Sequence, residues 1–361
     1  MIVNKRIGAL DGLRAFAAIG VVWVHCWSYS GNMSFTVYSV DINRLISFVG
    51  SGVDFFFVIS GFCMYLIWHE KEISTKQYFN FIIKRFRRIA PAFYVSALVY
   101  LLIKSKFYSF TLLFFKFFIN ALFLNNIFPD SEIIGPFWSL GTEWHFYIVL
   151  PFLFLTISSV VKRVYLLMAL SILFACLVYK GYFDLSFWHP QIMIRFVEFG
   201  WGIIAARYYK SNIKMPLLKG YAGLFLGFSL LYLGRLLKVT EVLKMAGHYQ
   251  WILNAFAEPL MTFGFAWILY LVITEKTLVS QLLDSFLFRY LGKISYSIYL
   301  WHSLVIMLLI YLPFIKAFHN SVSLIFIVVL PITILLSVIS YKFLELHYFK
   351  ARKLDSNSFE K

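Results

Sequence analysis

Apolar runs of about 20 residues recur along this 361-residue chain, and they do not alternate residue by residue with polar positions. A bilayer core about 30 Å thick takes roughly 20 residues of helix to cross. Inside it, every backbone N–H and C=O must be paired within a helix or a closed barrel. Without a two-residue alternation, helices are favoured over barrel strands. The chain is 61% hydrophobic and only 14% charged, against about 25% charged in a soluble domain. The expected fold is an all-α integral membrane protein.

The apolar pattern predicts about ten transmembrane helices, near residues 8–28, 45–68, 86–103, 138–158, 163–180, 191–208, 217–236, 251–273, 292–312 and 321–344. The segment 107–128 is also apolar, but Lys116 and its polar ends suit an interfacial or re-entrant helix. A net charge of +16 would point to nucleic acid on a soluble protein. Here most Lys and Arg fall in alternate loops, as the positive-inside rule requires, and no separate basic domain exists to bind a nucleic acid. That bias puts both termini in the cytoplasm. With no linker or internal repeat, residues 1–345 read as a single transmembrane domain and 346–361 as a short cytoplasmic tail. Cys26, Cys63 and Cys176 lack metal or redox spacing and read as small core residues. Leu10–Trp27 has no small-residue cleavage site after it, so it reads as a span and not as a signal peptide.

A charged side chain at the bilayer centre costs about 2.5–3.5 kcal/mol, so the ionisable residues inside spans need a reason. Arg14 and His25 in the first span are eleven residues apart. They share a helix face to within about 20° and stand about 16 Å apart along the axis. Asp11, one turn from Arg14, offers it an ion pair, and His25 beside Trp23 and Trp27 also suits an interface. Ionisable groups in spans otherwise mark pathways or sites, and histidine is the side chain that most readily serves as a base near neutral pH.

Asp54 sits among Phe55, Phe56 and Phe57, with Gly50, Gly52 and Gly61 permitting close helix packing. It reads either as a partner for an arginine or backbone amide, or as part of a pocket. In Lys84–Pro91, Arg85 and Arg88 are spaced i, i+3 and share a face, while Arg87 points elsewhere. They serve either as a topology anchor or as a clamp for an anionic cytoplasmic ligand, since guanidinium groups match phosphate oxygens bidentately. Ser139 and Glu143 share a face at the outer end of the fourth span, with His145 close by. Glu143 lies at about the depth of His25, where a carboxylate can hold an imidazole's tautomer or serve only as a structural partner. A serine-hydrolase triad is poorly supported, because no GxSxG elbow is present. Arg195 and Glu198, at i, i+3, suit mutual neutralisation. Ser295, Tyr299 and His302 form one polar stripe at i, i+4, i+7, suited to core hydrogen bonding and to catalysis alike. Glu345 reads as a cap or ion-pair partner, and no metal is expected.

Five stretches carry a family resemblance: LDGLRAFAAIGVVWVH (10–25), GSGVDFFFVISGF (50–62), Arg85–Arg88 with Ile89 and Pro91, FWSLGTEWHFY (137–147) and LGKISYSIYLWH (291–302). Together and in this order they resemble the acyltransferase-3 family of integral membrane acyltransferases. The resemblance implies transfer of an acyl group, most often acetyl, from cytoplasmic acyl-CoA to a hydroxyl of a cell-envelope glycan or glycolipid. It implies a multi-pass protein of a bacterial-type cytoplasmic (inner) membrane, with acetyl-CoA as the expected donor. It makes His25 the catalytic histidine and Arg14 its essential partner. Glu143 becomes the acid of a WSL-x-x-E motif, and Arg85 and Arg88 an RxxR site for the CoA phosphates. Asp11, Asp54, Ser139, Ser295, Tyr299 and His302 are candidate pocket positions. The family's closing Glu-x-Pro reads Glu345-Leu346-His347 here. Some members add a soluble domain, which a chain reaching only residue 361 is expected to lack. The competing reading is a transporter that moves a glycolipid or small solute along the Arg14/His25 stripe. Broken helices and inverted repeats would favour it, and the sequence shows neither.

Overall fold

A computed structural model describes residues 7–31, 36–37, 40–41, 46–69, 74–128, 130–154, 160–211, 215, 218–238, 246–310 and 322–346. The basic pair Lys5–Arg6 and the expected tail beyond Leu346 lie outside these residues. The regular structure is helical, apart from a two-residue antiparallel pairing of Thr36–Val37 with Val40–Asp41. The helices are α1 (Gly8–Tyr29), α2 (Gly52–Trp68), α3 (Thr75–Lys104), α4 (Phe110–Ala121), α5 (Trp138–Val149) and α6 (Val160–Tyr179). They continue with α7 (Ile192–Lys210), α8 (Gly220–Leu236), α9 (Gln250–Thr274), α10 (Leu278–Leu283), α11 (Phe286–Lys293), α12 (Ser295–Ile310) and α13 (Val322–Ser340).

Among the described residues, 6 helices are long and apolar enough to cross a membrane: α1, α2 with its preceding turn, α3, α6, α9 and α13 with its final turn. The other expected spans, α5, α7, α8 and α12, are shorter or carry more charge. Boundaries differ from the apolar pattern where capping and proline intervene. α3 begins at Thr75, well before residue 86, because Ser74 accepts a hydrogen bond from the Gln77 amide and caps it. α5 gives way at Leu150 to a tighter 3-10 turn, Leu150–Phe154, where Pro151 has no N–H to continue the helix. The ninth expected span breaks at Ile294 into the short α11 and α12.

The chain divides into two compact units. The first comprises Met1–Ala17, Leu45–Ile73 and Thr142–Lys293. In it α2 packs on α7, α7 on α6, and α8 on α9. Two glycines make the α2–α7 approach possible. A Cβ at Gly61 would stand 2.1 Å from the Phe199 carbonyl oxygen, and one at Gly202 only 1.9 Å from that of Val58. Backbone-to-backbone contact of this kind is what small residues permit between helices in lipid. The Phe199 ring then stacks on Phe146 at 3.9 Å and on Phe57 at 4.6 Å.

The second unit comprises Ala18–Arg44, Ser74–Gly141 and Ile294–Lys361. Here α12 packs on α13 and on α3. Tyr296 donates to the Ile89 carbonyl at 2.9 Å and Tyr100 to that of Leu300 at 3.2 Å, which sets the register of α12 along α3. α4 presents Phe110, Phe114 and Phe118 at i, i+4, i+8 as an exposed apolar stripe. Lys116 and Asn120 hold it from elsewhere on the helix: Lys116 reaches the Glu132 carbonyl at 3.2 Å, and Asn120 that of Ser131 at 2.8 Å. Its 12 residues rise only about 18 Å, as an interfacial helix would.

The glycine contact yields a prediction. Gly202→Ala should destabilise the detergent-solubilised protein by about 1–3 kcal/mol, the usual cost of overpacking. A thermal melt of the purified variant reads it, and an unchanged midpoint would mean that α2 and α7 are not in backbone contact.

Candidate active site

In the second unit, two histidines from distant parts of the chain meet. His25 on α1 and His302 on α12 lie with ring centroids 4.9 Å apart, and His25 Nδ1 is 3.2 Å from His302 Nε2. Each ring also touches a backbone carbonyl of its own helix. His25 Nδ1 is 2.9 Å from the Val21 oxygen, and His302 Nδ1 is 2.7 Å from the Tyr299 oxygen. A carbonyl oxygen only accepts, so both Nδ1 atoms carry hydrogen. The one hydrogen on His25 Nδ1 is then shared between the Val21 oxygen and His302 Nε2, and His25 keeps a bare lone pair on Nε2. Ser303 Oγ lies 3.0 Å from the same His302 nitrogen. His302 and Ser303 are buried, while His25 is half-buried.

The same unit gathers other expected residues. Ser139 Oγ and Tyr299 Oη are 2.6 Å apart, and Tyr299 donates to the Pro136 carbonyl. Ser295 is buried at the start of α12. Ser297 Oγ donates to Glu345 at 2.5 Å and lies 3.0 Å from Ser340 Oγ, and Arg88 lies within electrostatic reach of that carboxylate. Arg85 sits 5.3 Å over the Phe81 ring. Arg85 and Arg88 are half-buried and Arg87 is exposed, as their spacing requires.

The first unit holds the remaining residues. Arg14 Nη1 pairs with Asp11 at 3.4 Å, and Nη2 reaches Cys63 Sγ at 3.3 Å. Cys63 is thus a partner for Arg14 as well as a packing residue. Glu143 Oε1 accepts from Ser60 at 2.5 Å and from Tyr147. Arg195 and Glu198 do pair, at 2.7 Å, but they do not form a closed couple. The same Arg195 Nη1 meets Asp54 at 3.2 Å and Glu258 at 3.1 Å. Lys238 and His189 complete the cluster on Glu258. His189 lies before the expected span at 191–208. The Arg195 guanidinium holds its imidazole below the usual range, and burial acts in the same direction. The sequence pattern alone does not single out Ser60, Lys238, Glu258 or Ser303. Glu258, a lone carboxylate in the apolar run of α9, was the available signal. Among the described residues, no group of three or more His, Cys, Asp or Glu is arranged to hold a metal ion.

Two neighbouring imidazoles, one buried and one half-buried, can take up and pass on a proton at a hydroxyl or thiol. Comparison with known proteins assigns the class. The family model of an acyltransferase domain matches residues 7–342, nearly the whole chain, and the chain belongs to this acyltransferase family. It is 25% identical over 306 residues to ORF330 of Acidianus two-tailed virus, a protein named as an acetyltransferase, covering 81% of each chain. It is 26% identical over 377 residues to YrhL of Bacillus subtilis, named as a peptidoglycan O-acetyltransferase, and 22% identical over 383 residues to the O-acetyltransferase OatA of Staphylococcus aureus. Those matches cover 95% and 94% of this chain but only 55% and 57% of the two relatives. The chain therefore spans little more than half the length of these bacterial relatives. No solved structure matches it.

The ion cluster carries its own expectation. Arg195→Ala leaves Asp54, Glu198 and Glu258 without their shared cation, which for a buried pair costs about 3–5 kcal/mol. Folded yield and melting of the purified variant should both fall. Wild-type stability would mean that Arg195 does not organise these carboxylates.

Proposed function

We propose that this protein transfers an acetyl group from acyl-CoA to a hydroxyl of a cell-envelope glycan or lipid-linked glycan. It would do so as a protein of about ten spans with both termini cytoplasmic, in a bacterial-type inner membrane, residues 1–345 acting as one transmembrane domain. Acyltransferase family membership supports acyl transfer, and the names of YrhL and OatA support acetyl as the group and a glycan as the acceptor. The observation that carries the reading is the His25–His302 pair, in the same unit as Arg85 and Arg88.

The register of α12 on α3 relates the two sites. Tyr296 bonds the carbonyl of Ile89, next to Arg88, and His302 follows six residues along α12, about 9 Å of helix rise. In this proposal Arg85 and Arg88 hold the donor phosphates as charge-assisted, bidentate partners. The acyl group then lies further along the helix pair, near His25. His25 Nε2 takes the proton of the acceptor hydroxyl, or carries the acyl group transiently. Arg14 and Glu143 stay in the proposal as partner residues of the transfer, on the motifs they match.

Two experiments test it. His25→Ala should lower acylation of the acceptor from labelled acetyl-CoA by about 100-fold or more, the range of a positioned general base, in a variant that still folds in the membrane. Retained activity would overturn the assignment. The double variant Arg85→Ala, Arg88→Ala should raise KM for acyl-CoA by about tenfold or more, since each charge-assisted bond is worth roughly 1.5–3 kcal/mol. An unchanged KM would reduce the pair to a topology anchor. Mass spectrometry of envelope glycans from cells with and without the protein identifies the acceptor.

A further inference from the structure

The reacting imidazole has a second imidazole behind it where hydrolytic triads place a carboxylate. A carboxylate accepts from the base's far nitrogen, fixes its tautomer and stabilises the imidazolium. His302 Nε2 occupies that place, 3.2 Å from His25 Nδ1. It can do so only if its own proton is on Nδ1, and the Tyr299 carbonyl, 2.7 Å from Nδ1, requires that. A bound proton at His302 Nε2 would point at His25 Nδ1–H and drive the rings apart. The Val21 carbonyl lies on His25's own helix and fixes only which nitrogen is protonated. His302 comes from α12, and it alone of the two sets the ring's position relative to a second helix.

We propose that His302 is a positioning residue for acyl transfer: it holds His25 with Nε2 as the reacting nitrogen and shares the charge when that nitrogen is protonated. The inference rests on His25 as the base. The acceptor O–H proton goes to His25 Nε2 while the hydroxyl oxygen forms a C–O bond with the acyl carbon. The C–S bond of the thioester breaks, its electron pair leaves on sulfur, and the proton passes from His25 to the thiolate. Ester and free thiol are the products, and both histidines return to their starting state. During the step, His25 Nδ1–H becomes a cationic donor, and charge-assisted hydrogen bonds are roughly twice as strong as neutral ones. His302 Nε2 has one lone pair and two candidate donors, His25 Nδ1–H and the Ser303 hydroxyl 3.0 Å away. The neutral serine donor yields it when His25 becomes charged.

The test compares His302→Gln, whose carbonyl oxygen can accept where Nε2 did, with His302→Phe, which fills the space without an acceptor. His302→Phe should lower kcat on the order of 100-fold, within the range of proton-transfer catalysis, while KM for donor and acceptor stays unchanged. His302→Gln should recover a large part of kcat. Full activity in His302→Phe, or equal losses in both variants, would overturn the proposal. His25→Ala is measured alongside: if it stays active, the His25 assignment itself fails, whereas an inactive His25→Ala with a fully active His302→Phe sinks only the role of His302. Nitrogen-15 NMR of histidine-labelled wild-type protein gives a check that needs no variant. It should show neutral His25 protonated on Nδ1, and protonation on Nε2 would overturn the proposal.

Discussion

A guanidinium taken out of water must bring its counter-ions with it, and in this chain that requirement fixes how the first unit is put together. Arg195 is almost wholly buried on α7, and its three carboxylates come from α2, from α7 itself and from α9. Lys238, just past α8, closes the cluster on Glu258. Helices that slide by one residue move a side chain by about 1.5 Å and turn it by about 100°. Contacts of about 3 Å from three helices to one nitrogen therefore tolerate no slippage. The glycine contacts at Gly61 and Gly202 bring α2 and α7 together at positions where a side chain would clash. The ion cluster reinforces the same register and extends it to α9.

The second unit solves the polar problem differently. Its central contacts are between groups that can be neutral: two imidazoles, the Ser139–Tyr299 hydroxyl pair, and the Ser297–Ser340 hydroxyl pair. Burying a neutral, hydrogen-bonded group costs far less than burying an ion, and it leaves lone pairs uncommitted. A histidine clamped between full charges would be held in one protonation state. The His25–His302 pair has its tautomers defined by carbonyl oxygens and keeps His25 Nε2 free to accept a proton. Among the described residues, the Arg195 ion cluster lies in the first unit and the His25–His302 pair in the second.

The parts legible in the sequence were those with short-range signatures. The helical membrane class follows from apolar runs. The Asp11–Arg14 pair and the common face of Arg85 and Arg88 follow from i, i+3 spacing. Tyr299 and His302 lie on the stripe their spacing predicts, although Ser139 and Ser303, and not Ser295, supply the hydroxyl contacts seen there. What the sequence did not reveal depends on contacts between residues far apart in the chain. Nothing local distinguishes Glu258 as the partner of Arg195, or marks Lys238 as more than a loop charge. His25 and His302 each stand out as polar residues in apolar runs, yet their pairing spans 277 positions. Helix ends were displaced for a related reason, since a proline at 151 and a serine cap at 74 outweigh hydropathy.

The two tyrosine contacts between α3 and α12 link the legible and illegible halves of the candidate site. Arg85 and Arg88 carry a recognisable spacing but no information about where a bound anion would direct the rest of its molecule. His302 carries the chemistry but no information about the donor. Tyr296 on Ile89 and Tyr100 on Leu300 hold the helices side by side at two points, so the offset of about 9 Å along α12 is a property of the packed pair. Moving α3 by one turn, about 5.4 Å, would break both bonds and change that offset by more than half. For a donor whose phosphates and acyl group sit at opposite ends of one flexible arm, this register sets whether the acyl carbon reaches His25. Tyr100 and Tyr296 touch neither reacting atom, yet the geometry of the proposed transfer depends on them.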